Sequence, residues 1–201
     1  KGAIKVMNKY KNHPGVSPNL YQLIGNSYDY LGKPDKALKA YDEGLEKFPN
    51  SGKLYLEKGN IFWIKKEYGK ALPWYEKGIE VEPDFASNYY RAARIFCSSS
   101  EEVWGMIYGE IFINLERNSA RTSEISKLLF DTYKSEITIT NDTAYAISFS
   151  KNATITLSDI SDPGNIKLPF GMAVYEMTLG TCVVGYKAID LNSLDVIRSR
   201  F

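Results

Sequence analysis

Histidine is almost missing from this chain, and cysteine nearly so. The single histidine, His13, stands beside Pro14, where a solvated or capping role is its ordinary reading. One histidine and two distant cysteines, Cys97 and Cys182, exclude the usual zinc spacings. A Ser-His-Asp or Cys-His arrangement would have only His13 to recruit. The cysteines read as two buried reduced thiols, with a bridge across a domain interface as the alternative. A phosphate loop is missing too: Gly180-Thr181-Cys182-Val183-Val184-Gly185 lacks the lysine and the following helix. Asp159 and Asp162 lack the spacing of a calcium loop. Glu101-Glu102 reads as the start of a helix, where acids favour the positive end of the dipole. No catalytic, metal-binding or cofactor-binding residue is therefore assigned, and the chain is not expected to be an enzyme.

Net charge is scarce as well. With 25 Lys and Arg against 24 Asp and Glu, the balance of +1 gives no electrostatic reason to expect nucleic acid or an anionic membrane as partner. No run of about eighteen apolar residues occurs, so no segment is expected to span a membrane. What is present is an ordinary globular mixture, 44% hydrophobic and 24% charged, in 201 residues that suit one large or two small domains. The chain opens at Lys1, and Ala3 to Met7 already read as helix interior; Arg198 to Phe201 stop inside another helical pattern. The sequence reads as a fragment at both ends.

The strongest internal signal is self-similarity at an offset of 34, seen in Gly25 and Gly59, Asn26 and Asn60, Ala37 and Ala71, Tyr41 and Tyr75, Gly44 and Gly78, Pro49 and Pro83. Tyr21, Tyr55 and Tyr89 carry the ladder into a third unit. Gly25 and Gly59 fit a close approach of two helices, and Ala37 and Ala71 begin the second helix at its tightest contact. Tyr41 and Tyr75 fill the space between neighbouring hairpins. Pro49 and Pro83 end the second helix. A single hairpin cannot bury its apolar face, so the units must stack.

The order Tyr21-x-x-Ile24-Gly25-x-x-Tyr28, then Ala37, Tyr41, Gly44 and Pro49, resembles the tetratricopeptide repeat family. The second unit repeats it with Tyr55, Gly59, Phe62, Ala71, Tyr75, Gly78 and Pro83. Lys58 departs from it where an apolar residue is usual, and Pro73 departs near a first helical turn, where proline is tolerated. A third, diverged unit keeps Tyr89, Ala92-Ala93 and Phe96, then Gly105, Gly109 and Phe112, with Arg117 in place of the final proline. The resemblance implies a mainly α fold, an α-α superhelix of tetratricopeptide repeats followed by a small α+β C-terminal domain with a short antiparallel sheet. The expected boundaries are 1–17 for the second helix of a truncated repeat (Ala3 to Pro14), 18–51, 52–85 and 86–117 for three repeats, 118–134 for a closing helix, and 135–201 for the C-terminal domain.

In the closing helix Thr122 or Ser123 is the expected cap, and Ile125, Leu128, Leu129 and Tyr133 form its apolar stripe. Beyond Glu136 the period changes to two, predicting three strands through Ile137 and Ile139, through Tyr145, Ile147 and Phe149, and through Ile155 and Leu157. A loop over Ser158 to Asn165, a short helix over Phe170 to Leu179, a strand over Cys182 to Ile189 and a last helix capped by Ser193 complete the expectation. The triplets Asn141-Asp142-Thr143 and Asn152-Ala153-Thr154 match a glycosylation sequon, beside the ordinary reading of a hairpin turn and strand start. Tyr108-Gly109-Glu110, Arg121 to Ile125 and Leu168-Pro169-Phe170-Gly171 look like repeat proteins of gut-type anaerobic bacteria with a small C-terminal appendage. That resemblance implies a bacterial, periplasmic or secreted parent chain with a secretion signal and further repeats upstream.

In the repeat family the first helices of successive hairpins line a concave face that holds extended peptides or partner helices. The matching groove residues are Gln22, Asn26 and Tyr30, then Lys53, Asn60 and Trp63, then Tyr90 and Arg94, with Asn19, Asp29, Leu56, Ile64, Ser87, Cys97 and Ser98 at further inward positions. Asn26 and Asn60 suit backbone recognition, Tyr30, Trp63 and Tyr90 the chemistry of interface hot spots, and Arg94 a carboxylate. The implied partner is another protein or an extended peptide. The other reading of the aromatic stripe is core, covered by the protein itself. Repeats that clamp the C-terminal carboxylate of heat-shock chaperones use a lysine, two asparagines, a lysine and an arginine at set positions. These read Gln22, Asn26, Glu57, Ser87 and Arg91 here, and Glu57 would repel that ligand. The expected function is a protein-binding scaffold. The alternatives are a hydrolase-like enzyme with its site where solenoid and C-terminal domain meet, and a self-assembling component.

Overall fold

The computed structural model describes residues 2–141, 144–151 and 168–201. Eight helices come first: α1 (Gly2–Lys9), α2 (Pro18–Tyr30), α3 (Pro34–Lys47), α4 (Gly52–Ile64), α5 (Tyr68–Val81), α6 (Ala86–Phe96), α7 (Glu102–Leu115) and α8 (Ala120–Glu136). Strands β1 (Ile137–Asn141) and β2 (Ala144–Ile147) follow, then a π-helical stretch Gly171–Glu176 that runs into α9 (Met177–Val183), and finally α10 (Leu191–Arg200). The chain divides into two compact units, Lys1–Ala92 and Ala93–Phe201, the division falling within α6.

In the first unit α2 packs on α3 and α4 on α5 as two antiparallel hairpins, and α4 also packs against both α2 and α3. Proline opens α2 and α3 at their first helical positions, where its missing N–H costs no hydrogen bond. The second helices stop at Lys47 and Val81, two residues before Pro49 and Pro83, as a residue preceding proline disfavours helix. Tyr21, Ala37, Tyr41, Leu54 and Ile61 form one buried cluster that joins the two hairpins.

The repeat glycines are where the helices meet most closely. A Cβ on Gly25 would stand 2.0 Å from Cε1 of Tyr41, and one on Gly59 2.3 Å from Cε1 of Tyr75. Both tyrosines are buried to 1% exposure or less, so neither ring has anywhere to move. Gly59→Leu is accordingly expected to lower stability by about 1–3 kcal/mol through overpacking. Chemical denaturation checks this, and an unchanged midpoint would mean that the ring yields freely.

Two departures from the repeat pattern receive a physical account. Lys58 is buried, yet its ammonium pairs with Asp42 Oδ1 at 2.6 Å and lies 3.5 Å from the Trp74 ring centroid. Its stem fills apolar space while the charge meets a carboxylate and a π face. Pro73, expected in a first turn, is instead the sixth residue of α5 and lies inside the helix. There it withdraws one backbone donor.

In the second unit the caps differ from expectation. Ser119, not Thr122 or Ser123, caps α8, its hydroxyl accepting from the Thr122 N–H at 3.1 Å. The Thr122 hydroxyl donates back to the Glu116 carbonyl at 2.6 Å, which closes the turn before the helix. Asp190 caps α10 and Ser193 is its N3 partner, each side chain accepting from the other's N–H at 2.8 Å.

α8 passes directly into β1. β1 and β2 pair antiparallel with Ile137 opposite Ile147 and Ile139 opposite Tyr145, and a bulge lies between Ile139 and Asn141. The expected third strand at Ile155 and Leu157, the loop over Ser158 to Asn165 and both sequon triplets lie wholly or partly outside the described residues. The expected strand over Cys182 to Ile189 is wrong. Tyr175, Leu179, Cys182 and Val183 are all buried, which is helical spacing, and the chain stays helical to Val183 before Gly185 turns at φ +88°. Helical burial on one face outweighs the β-branched preference of Val183-Val184. Both cysteines are free, and burial pushes the Cys97 thiol up to about 12.

Beside the strand pair, Lys151 Nζ bridges Glu102 Oε1 at 3.2 Å and Glu136 Oε2 at 2.9 Å. Burial raises the Glu102 carboxyl above its ordinary value; the Lys151 hydrogen bond opposes this and the Glu136 charge adds to it. A raised carboxyl favours the folded state when protonated, so its contribution is present below the unfolded value of 4.5 and is lost as pH rises through the folded value. Glu116 runs the other way, lowered chiefly by Arg121, and its contribution is lost only in more acidic solution. As pH falls from 7 to 4.5 the native chain is expected to gain stability relative to Glu102→Gln. Urea unfolding at the two values measures the difference, and a difference independent of pH would contradict it.

Candidate peptide-binding recess

Residues one repeat apart build one surface on the first unit. A recess of about 330 Å³ is lined by Asn26, Asp29 and Tyr30 of α2, by Glu57, Asn60, Trp63 and Ile64 of α4, and by Arg91 of α6. Its polar frame is held from below. The Tyr41 hydroxyl donates to Asn26 Oδ1 at 2.6 Å, and the Tyr75 hydroxyl donates to Asn60 Oδ1 at 3.2 Å. The same tyrosine that covers the repeat glycine thus fixes which way the asparagine amide points. Burial, with the charges of Glu57 and Asp29 adding, pushes the Tyr41 hydroxyl far above its ordinary value and keeps it a donor at any physiological pH.

Glu57 is the hub of the frame. Its Oε1 accepts from Gln22 Nε2 at 2.7 Å and its Oε2 from Asn60 Nδ2 at 3.1 Å, which links α2 to α4. Lys53 adds a second link through Asn19 Oδ1 at 2.7 Å. The apolar part is more open. Tyr30 is 93% exposed and Ile64, its equivalent one repeat later, 68%. Trp63 is half-buried, edge-on to Tyr68 at 5.1 Å between centroids and stacked under the Arg91 guanidinium at 4.8 Å.

Of the residues expected to line a groove, the recess brings together Asn26, Tyr30, Asn60 and Trp63; Gln22 and Lys53 hold the frame beside it. Tyr90 is 7% exposed, with the Arg91 guanidinium 5.7 Å from its ring. Arg94 belongs to the second unit and pairs there with Glu124 of α8 at 3.4 Å. The arginine of the recess is Arg91. Its signal in the sequence is its register, one repeat on from Glu57.

A family model for the tetratricopeptide repeat matches residues 23–86. Residues 23–86 are tetratricopeptide repeats. The match runs from within α2 through α5 and stops where α6 begins. Solved tetratricopeptide and related structures share the fold. A crystal structure of MamA aligns over 67% of this chain and 77% of its own, with TM-score 0.53 and 17% identity. MamA from Desulfovibrio magneticus aligns over 65% and 72%, with TM-score 0.50 and 20% identity. The TPR2B domain–pHsp70 complex of yeast Sti1 aligns over 59% and 97%, with TM-score 0.51 and 20% identity. Likeness at these identities is likeness of fold. No curated protein matches the sequence. Among the described residues, no helix is long and apolar enough to cross a membrane, and no cluster of acidic, histidine or cysteine side chains is arranged to hold a metal ion.

Proposed function

We propose that this chain is a protein-binding scaffold whose tetratricopeptide repeats receive an extended peptide or a partner helix over the recess on α2, α4 and α6. The observation that carries the reading is the pair Tyr30 and Ile64, one repeat apart and largely bare, beside a Trp63 ring fixed by Tyr68 and Arg91. Such rings offer large apolar area at small cost in side-chain entropy. Asn26 Nδ2 is turned away from its tyrosine and available to a backbone carbonyl, while Asn60 Nδ2 is already engaged by Glu57. The yeast Sti1 domain, seen in complex with pHsp70, supports repeats of this fold as peptide receivers. A chaperone-type carboxylate clamp does not fit: Glu57 stands in the recess with both oxygens directed to Gln22 and Asn60, and would meet an incoming carboxylate with like charge.

A photo-reactive residue placed at Ile64 tests the reading, with one at the exposed Lys39 of α3 as control. Cross-links to a cellular protein from position 64, weakened by Trp63→Ala and absent from position 39, are expected. Equal labelling from both positions, or none from 64, would remove the recess from the function.

A further inference from the structure

The recess on α2, α4 and α6 carries more negative charge than positive. Asp29 and Glu57 line it, and Arg91 is its one cation among the described residues. The Arg91 guanidinium is engaged with rings, 4.8 Å from the Trp63 centroid and 5.7 Å from that of Tyr90. It forms no ion pair with either carboxylate among the described residues. Asp29 stands about one helical turn after Asn26, on the same face of α2. It is half-buried, its carboxylate oxygens accept no hydrogen bond among the described residues, and neither is closed to solvent. Glu57 accepts one bond at each oxygen, from the neutral amides of Gln22 and Asn60. That leaves about half of its acceptor positions free and its charge without a counter-charge. Beside these acids the largely bare Tyr30 and Ile64 offer apolar surface on the same recess.

We propose that the recess selects an extended peptide carrying a lysine or arginine next to an apolar residue, the basic side chain running over Tyr30 with its charge directed at Asp29 and Glu57. The inference rests on the reading of this recess as a peptide site. A long basic side chain answers both features of the surface at once. Its methylene stem covers apolar area while its cationic head reaches a carboxylate, and the open face of Tyr30 adds a π contact. A purely apolar side chain would desolvate the two carboxylates and give them no partner. An acidic one would meet like charge.

Fluorescence anisotropy with the whole chain tests the proposal. The probes are three capped, dye-labelled nonapeptides that differ only at a central position flanked by leucines: lysine, norleucine or glutamate. The lysine peptide is expected to bind about fivefold or more tightly than the norleucine peptide, and the glutamate peptide more weakly than both. The lysine preference should shrink as salt is raised from about 0.05 M to about 0.5 M, because half-exposed charges are screened. Asp29→Asn keeps the shape and removes the charge, so it should abolish most of the preference, while Asp29→Glu should retain it. Glu57 is left unchanged because it also holds the frame. Trp63→Ala should weaken the lysine and norleucine peptides alike. Equal affinity for those two peptides, both weakened by Trp63→Ala, would overturn the charge selection and leave the peptide-binding reading standing. A lysine preference that survives Asp29→Asn in full would do the same. Failure of all three peptides to saturate, with cross-linking from position 64 intact, would overturn the basic-peptide inference alone. Binding that Trp63→Ala does not affect would overturn it together with the recess.

Discussion

Residues 135–201 produced alone are expected to remain unfolded or to aggregate, whereas a chain starting at Arg121 should be more soluble and one starting at Ala93 should fold cooperatively. A two-stranded ribbon is marginal in water without a surface to pack on. The surface it uses here comes from earlier in the chain. Ser150 forms an antiparallel bridge with Glu101, and the Lys151 N–H donates to the Ser100 carbonyl at 2.8 Å. The Ser150 hydroxyl reaches Glu101 Oε2 at 2.9 Å, and Lys151 reaches Glu102 and Glu136. A cut at residue 135 removes the α7 partners along with Tyr133. Starting at Arg121 restores α8 but not the start of α7, so only partial rescue is expected from it. Circular dichroism and gel filtration of the three chains decide the matter. A monomeric, cooperatively melting 135–201 would refute the dependence and make that segment a domain in its own right.

Phe149→Ala is expected to cost about 3–5 kcal/mol, the range for deleting a fully buried aromatic ring from a core. Phe149 has no exposed surface and meets two other buried rings edge to face, Tyr133 at 5.7 Å and Tyr175 at 5.6 Å. Such pairs are worth about 0.5–1.5 kcal/mol beyond the area they bury. The three rings come from α8, from the segment after β2 and from the π-helical stretch, so removing the middle one loosens three elements at once. Denaturant unfolding measures the loss, and a change below about 1 kcal/mol would show that the ring cluster is not central to this unit.

The repeats are legible because the positions of closest helix contact admit little but glycine or alanine. Gly25 and Gly59 are glycine because a tyrosine ring occupies the place of a Cβ, and an offset of 34 exposes that constraint twice. Lys58 looked like a defect because sequence alone does not reveal that Asp42 and Trp74 stand ready to receive it. The groove residues Asn26, Tyr30, Asn60 and Trp63 followed from the repeat register. The neighbouring role of Arg91 was legible only through its register with Glu57, since nothing local distinguishes Arg91 from Arg94. Past α7 no second copy exists to compare, and local rules had to decide alone. They placed a strand at Cys182 to Ile189, where burial at residues 175, 179, 182 and 183 required a helix. They also capped two helices three or four residues late, because several Ser, Thr, Asp or Asn residues near each start satisfy the same preference and only geometry picks one.

The hydrogen bond from Tyr41 to Asn26, repeated from Tyr75 to Asn60, bears on how such a surface can evolve. One side chain closes the hairpin and aims the amide, so selection for folding and selection for recognition act on a single codon and cannot be tuned apart. A substitution of either tyrosine is expected to disturb both at once. Variation in ligand preference is left to side chains that owe nothing to the interior, above all Tyr30 and Ile64, which drift could rewrite without unfolding the repeats. The buried frame and the exposed rim are thus separated within each 34-residue unit, and duplicating a unit copies both together.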